Sequence, residues 1–471
     1  MKHLALHTGD NAEAKLIITP VTLAEKRAPQ QPAEAQLHAV ISEEVTMASV
    51  KRRDIEVEVL RIVSILGIAV FHTFLPWINA LFHNMDDSPG IGVSGMTTSF
   101  TALFLLALIA LLGSFGNNVF FMISGFFIMP SLEKDSRTPG YWKRQTRKTL
   151  RRIAVIVASV AIIGALCWLL SLVLPMDYFS TGVVGRFTMG LEFIWLYAII
   201  VAFAPVFAWL AVRIETWANV VAILFVTVMG LNLYVAFFDQ VAQSSWVFDW
   251  RKLLSGATYV VAFLVSGVIA DSWRSFRHVS GIFFIGILFV TVIFMAGLAL
   301  PGDRAVIGAL TYKSTSVLSF LLAVGCLMQA MNLRDRHREQ RAVRPVVDES
   351  GLSWAAASVK DRWNRVIISA ASGILGFYIF QSLFNPVWES WIRPLLCAVL
   401  GISPSSSSRS LPLPAGSLLF SHSLPGIVAY KPAVVLAFIV AGTLLSALYI
   451  VAILLLDRVV RRPLLKLMRL A

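Results

Sequence analysis

Three ionisable residues lie in a stretch that reads as lipid-spanning. The run 55–83 is apolar and longer than the roughly 20 residues a bilayer crossing needs, yet it carries Glu58, Arg61 and His72. Ionisable groups at such depth are costly, and they face a partner or a wet cavity rather than lipid. Arg61 and His72 are eleven positions apart. On a helix that leaves them about 20° apart around the axis and about 16 Å apart along it. Glu58, one turn before Arg61, shares the flank. The column therefore offers a carboxylate, a cation that stays charged, and a base whose ordinary pKa is about 6.5. Such a set can relay a proton, hold an anion or activate a hydroxyl. It can equally be a structural ion pair plus a histidine bonded to a neighbouring carbonyl.

The rest of the chain supplies a membrane scaffold. Of 471 residues, 57% are hydrophobic and only 14% charged, against about a quarter charged in ordinary globular chains. The formal net charge of +13 suggests nucleic acid only until its location is considered. The cations cluster in segments 133–152 and 333–365 and in the tail 458–471, with Lys51, Arg52 and Arg53 just before the first span. Ten apolar spans are predicted, at 55–83, 98–130, 153–174, 190–212, 217–237, 254–270, 281–300, 315–331, 366–388 and 433–456. With both termini cytoplasmic, every basic cluster falls on the cytoplasmic side, as the positive-inside rule requires. Anionic lipid then accounts for the charge, and no nucleic-acid partner is expected. The expected fold class is all-α, a polytopic helix bundle in the plasma membrane.

Residues 1–50 read as a disordered cytoplasmic tail and 51–457 as the transmembrane domain. Within that domain, 133–152 and 333–365 are expected to be cytoplasmic basic loops, and 392–432 an extracytoplasmic Ser/Pro-rich loop. Cys167, Cys326 and Cys397 have no paired spacing, so neither a disulfide framework nor a metal site is expected. Gly113, Gly116, Asn117 and Asn118 interrupt the second span, which predicts a long, kinked or partly broken helix lining a cavity, with the two asparagines either facing Arg61 or His72 or satisfying backbone groups that the break frees.

Several blocks resemble the acyltransferase-3 family of multi-pass membrane enzymes. Glu58-x-Leu60-Arg61 followed by Phe71-His72 is similar to that family's first membrane helix, with the same Arg-to-His spacing. Asn118-Val-Phe-Phe-Met-Ile-Ser-Gly125-Phe resembles its aromatic second block, and Trp142 to Ile153 its basic segment. Trp195-Leu-Tyr197 and Gly376-Phe-Tyr378-Ile-Phe-Gln381 are fainter echoes. The sequence departs from the pattern at Gln381, where a His is usual, at Ala154–Val155, where a Pro is usual, and near Glu192, again in place of a His.

The resemblance implies an O-acyltransferase that moves an acyl group, usually acetyl, from acyl-CoA to a hydroxylated carbohydrate or lipid-linked acceptor, with no tightly bound cofactor. It makes His72 the general base and Arg61, beside Glu58, the group that positions the donor. Arg144, Arg147 and Arg151 are candidates for the CoA diphosphate, to which guanidinium offers bidentate contacts. Asn117, Asn118, Phe121, Ser124, Trp195, Tyr197, Tyr378 and Gln381 are candidates for substrate contact. The alternative is a transporter or channel using Glu58, Arg61 and His72 as a proton or anion relay.

Overall fold

A computed structural model of the chain describes residues 54–82, 93–173, 190–238, 250–300, 304–311, 313–343, 353–402, 430–468 and 470. The expected tail 1–50 and most of the Ser/Pro-rich loop lie outside them. The described residues form helices and no strand. In order they are α1 (Ile55–Phe82), α2 (Phe100–Ser136), α3 (Tyr141–Val173), α4 (Glu192–Arg213), α5 (Trp217–Phe238), α6 (Trp250–Asp271), α7 (Gly281–Ala299), α8 (Ala305–Thr311), α9 (Val317–Val343), α10 (Ser353–Ala371), α11 (Ile374–Val399), α12 (Pro432–Leu456) and α13 (Arg462–Leu467). Among the described residues nine helices are long and apolar enough to cross a membrane. A bent pair, Arg362–Ala371 with Ile374–Asn385, makes up to ten. The polytopic all-α bundle expected from the sequence is therefore what the chain forms.

α1 is packed against α2, α9, α10, α11 and α12. Its inward face carries Ile65 and Ile68, which are fully buried, whereas Val59 and Val63 are 41% and 45% exposed. Those two valines stand about 160° around the axis from Arg61, so the Arg61 flank is turned into the protein and the opposite flank toward lipid.

The second span corrects an expectation. α2 is one continuous helix, and Gly113, Gly116, Asn117 and Asn118 do not break it. The glycines serve packing instead. A Cβ on Gly113 would come within 2.6 Å of the Phe71 ring, and one on Gly116 within 2.5 Å of the Ser64 carbonyl oxygen. Lipid gives little hydrophobic drive for helices to associate, so small residues that let backbones approach supply the contact. The same device seats α6 on α2 at Gly125 and α12 on α1 at Gly442. The bend that does occur, 51°, lies between α10 and α11 at Ser372–Gly373.

The described residues of the two basic segments are mostly helical rather than loops. α2 runs on to Ser136 and α3 begins at Tyr141, so 133–152 is helical apart from a turn at 137–140. Among the described residues of segment 333–365, 333–343 belong to α9 and 353–365 to α10, and α11 continues through Val399 where the outer loop was expected from 392. Charge alone marked these stretches as non-spanning, but helices of Lys and Arg extend well beyond the hydrocarbon. At about 1.5 Å per residue, the 37 residues of α2 reach about 55 Å, against a core of about 30 Å.

The N-terminal end of α1 is tied by polar pairs. Arg338 donates to both Asp54 oxygens at 2.7 and 2.9 Å, and His337 Nδ1 lies 2.6 Å from Glu56 Oε1. Further along, Thr73 and Ser446 hydroxyls share a 2.8 Å hydrogen bond between α1 and α12.

Gly116→Leu should force α1 and α2 apart, an overpacking cost of about 1–3 kcal/mol or more because backbone must move. Gly230→Leu, at a position with nothing within 4 Å, should cost nothing. Comparing the temperatures at which detergent-purified variants lose their monodisperse peak checks this.

Candidate active site

The Glu58–Arg61 pair is formed. Arg61 Nη1 donates to both Glu58 oxygens at 2.9 and 3.0 Å, with the Glu58 side chain 4% exposed and that of Arg61 33%. Ser64 Oγ donates to the Arg61 carbonyl at 2.7 Å, which fixes the next turn of α1. The carboxylate thus locks the direction of the guanidinium while part of the latter stays accessible. His72 is half-buried and stands edge-on to Phe71, ring centroids 5.2 Å apart. α1 is helical throughout from Arg61 to His72, so the column read from the spacing exists, with Ile65 and Ile68 closing the space between them.

Next to Arg61, rings from four helices meet. Phe120 of α2 lies 4.7 Å from Tyr197 of α4 and 5.0 Å from Tyr378 of α11. Phe193 stacks on Tyr378 at 4.4 Å, and Phe121 stacks on Tyr259 of α6 at 4.7 Å. Polar atoms thread this cluster. Tyr378 donates to the Gly116 carbonyl at 3.1 Å, and Asn117 Nδ2 donates to the Tyr259 hydroxyl at 2.9 Å. Ser255 and Ser314 also lie within hydrogen-bonding reach of Tyr259, as Ser124 does of Tyr197. Buried tyrosines and an asparagine need such partners, because an unpaired polar group in hydrocarbon is expensive.

The structure brings Phe121, Ser124, Tyr197, Tyr378 and Asn117 of the sequence-predicted set into this cluster. The asparagines do not point as expected. Asn117 is committed to Tyr259, and Asn118 Nδ2 donates to Ser114 on its own helix at 3.1 Å. Their offset explains this: Gly113 and Gly116 occupy the flank toward α1, and Asn117, the next position, faces α6. Gln381 is buried one turn beyond Tyr378. Trp195 is half-buried, packed with the apolar cluster between α1, α3 and α11.

Arg147 and Arg151 are exposed along one face of α3, opposite the buried Gln145 and Thr149. Arg144 is bound to the turn before its helix, donating to the Pro139 carbonyl and Thr138 Oγ1. Gln145 Nε2 holds the end of α2 by a 2.8 Å bond to Asp135. Sequence reasoning missed Phe120, Phe193 and Tyr259. Phe120 and Phe193 adjoin residues it singled out, and the single tyrosine in the apolar run of α6 was the available signal for Tyr259. No group of three or more metal-ligating side chains occurs among the described residues.

Tyr378→Phe should remove one hydrogen bond and keep the ring, costing about 1 kcal/mol. Tyr378→Ala should leave a hole between Phe193 and Phe120 and cost about 3–5 kcal/mol. Thermal unfolding of the two purified variants should show that order.

Against known proteins, the family model for the acyltransferase-3 group, described as an acyltransferase domain, matches residues 54–452. No curated protein and no solved structure matches the chain. The match takes in α1 with its Glu58, Arg61 and His72, the glycine seam of α2, the aromatic cluster and most of α12. The chain is a member of the acyltransferase-3 family.

Proposed function

We propose that this membrane acyltransferase moves an acetyl or related acyl group from cytoplasmic acyl-CoA to a hydroxyl of a cell-envelope carbohydrate or similar acceptor. The observation that supports the reading most is the Arg61–His72 column, inward-facing on an unbroken helix, in a chain of an acyltransferase family. His72 takes the proton of the acceptor hydroxyl as its oxygen attacks the thioester carbonyl. The C–O bond forms, the C–S bond breaks, and the proton returns to the leaving thiolate to give free CoA. The neutral imidazole is the form able to accept that proton.

Arg61 cannot act as a base, since it stays protonated; it is a fixed cation for the donor's phosphate or for charge developing on the carbonyl oxygen. Glu58 aims it. Arg147 and Arg151, exposed on the basic end of α3, suit the CoA phosphates better than Arg144, whose guanidinium is engaged in its turn. A transporter loses its main structural argument, because α2 is continuous rather than broken.

His72→Ala should reduce acyl transfer by a factor of about 100 or more while leaving expression and unfolding temperature near wild type. Arg61→Lys should raise the KM for acetyl-CoA, since Lys lacks the planar fork. Release of CoA from labelled acetyl-CoA by purified protein measures both. Turnover retained in His72→Ala would remove that residue from the chemistry.

A further inference from the structure

The polar column of α1 does not end at His72. Asn79 follows seven positions on, about 20° around the axis from His72 and about 10 Å further along it. Its Oδ1 is buried and makes no hydrogen bond among the described residues. α11 holds a second such atom, the Nε1 of Trp388.

Packing fixes the height of Trp388. α12 runs antiparallel to α1, with Phe74 against Gly442 and Thr73 bonded to Ser446. One turn on from Ser446, the Tyr449 ring stacks on Trp388, centroids 4.4 Å apart and planes 11° apart. That puts Trp388 within about a turn of the level of Thr73. Consistently, Trp388 packs against both the apolar cluster of Ile65, Ile68 and Ala69 and that of Val70 to Phe82. His72 lies in the same sector of α1 as Ile65, Ile68 and Ala69, the side that α11 covers. A donor atom near the level of His72 and an acceptor atom about two turns further along from it therefore lie along the α1–α11 seam.

Buried polar atoms are normally paired, and at membrane depth water does not substitute. A hydroxyl both donates and accepts, so one kind of group satisfies both atoms. Resting on the acyl-transfer reading above, we infer that Asn79 and Trp388 bind the acceptor. Trp388 Nε1 donates to, and Asn79 Oδ1 accepts from, hydroxyls adjacent to the one that His72 deprotonates. The acceptor is then a compound with neighbouring hydroxyls, a sugar or other polyol rather than a simple alcohol. Neither residue carries out the chemistry; together they set which hydroxyl is presented.

The test uses full-length protein in lipid nanodiscs, labelled acetyl-CoA, and envelope glycan extract as the acceptor probe. Trp388→Phe keeps a six-membered ring on Tyr449 while removing the N–H with its five-membered ring; Asn79→Ala removes the amide, its carbonyl included. Each should raise the half-saturating extract concentration about tenfold, with the KM for acetyl-CoA unchanged. Unchanged half-saturation in both variants would overturn the assignment, as would a parallel rise in the acetyl-CoA KM, which marks a general packing defect. Transfer by the wild type to a monohydroxylic lipid alcohol but not to the glycan extract would also overturn it, leaving acyl transfer intact. Failure to turn over acetyl-CoA with any acceptor would instead bring down the acyltransferase reading itself.

Discussion

The molecule depends on how closely α1 and α2 approach. Two helices in lipid gain little from burying apolar surface, because the tails are as apolar as the side chains. They gain from van der Waals contact, and that requires backbones to come near. Gly113 and Gly116 permit it: Phe71 lies over one, and Ser64 and Ile68 over the other. Tyr378 adds a third helix to the same spot by bonding the Gly116 carbonyl. The Arg61 flank, the aromatic cluster and the level of His72 are all referred to this seam. A shift of α1 by one side-chain thickness would move every group of the proposed mechanism.

The architecture was legible in the sequence because hydrophobic length and cation placement obey strong physical rules. Ten apolar runs and the basic clusters between them are enough for a polytopic bundle. The Glu58–Arg61 pair was legible for a related reason, since charges in an apolar run must find each other. The glycines were misread. A Gly beside Asn suggests a break when only one chain is considered, whereas here the tight contact belongs to two helices far apart in sequence. Sequence alone does not tell a glycine that bends a helix from one that accommodates a neighbour. The basic segments were misread as loops because charge reports exclusion from lipid, and says nothing about whether the backbone remains helical. Trp388 gave no local signal; its meaning comes from what tertiary packing leaves beside it.

The aromatic cluster shows how polar atoms are tolerated at this depth. Each hydroxyl or amide is matched to a carbonyl or another hydroxyl, and rings fill the remaining space. Such a core is stiff, since moving one ring disturbs its neighbours from three other helices. Stiffness suits an enzyme that must align two substrates more than it suits a carrier that must change shape.

One further feature lies at the base of the bent α10–α11 pair. Asp457, fully buried in a π-helical turn after α12, is held by Arg461 and by Arg462 Nε at 2.7 Å, and Arg461 also reaches Ser159 of α3 at 3.2 Å. A Cβ on Gly376 would fall 1.9 Å from the Asp457 carboxylate. A buried anion is tolerated only with its cations in place, because a charge left alone in a dry interior is severely penalised. The notch at Gly376 is therefore filled by a segment the ribosome delivers long after α11. The packing of α11 at Gly376 is complete only when the turn that carries Asp457 has docked beside it.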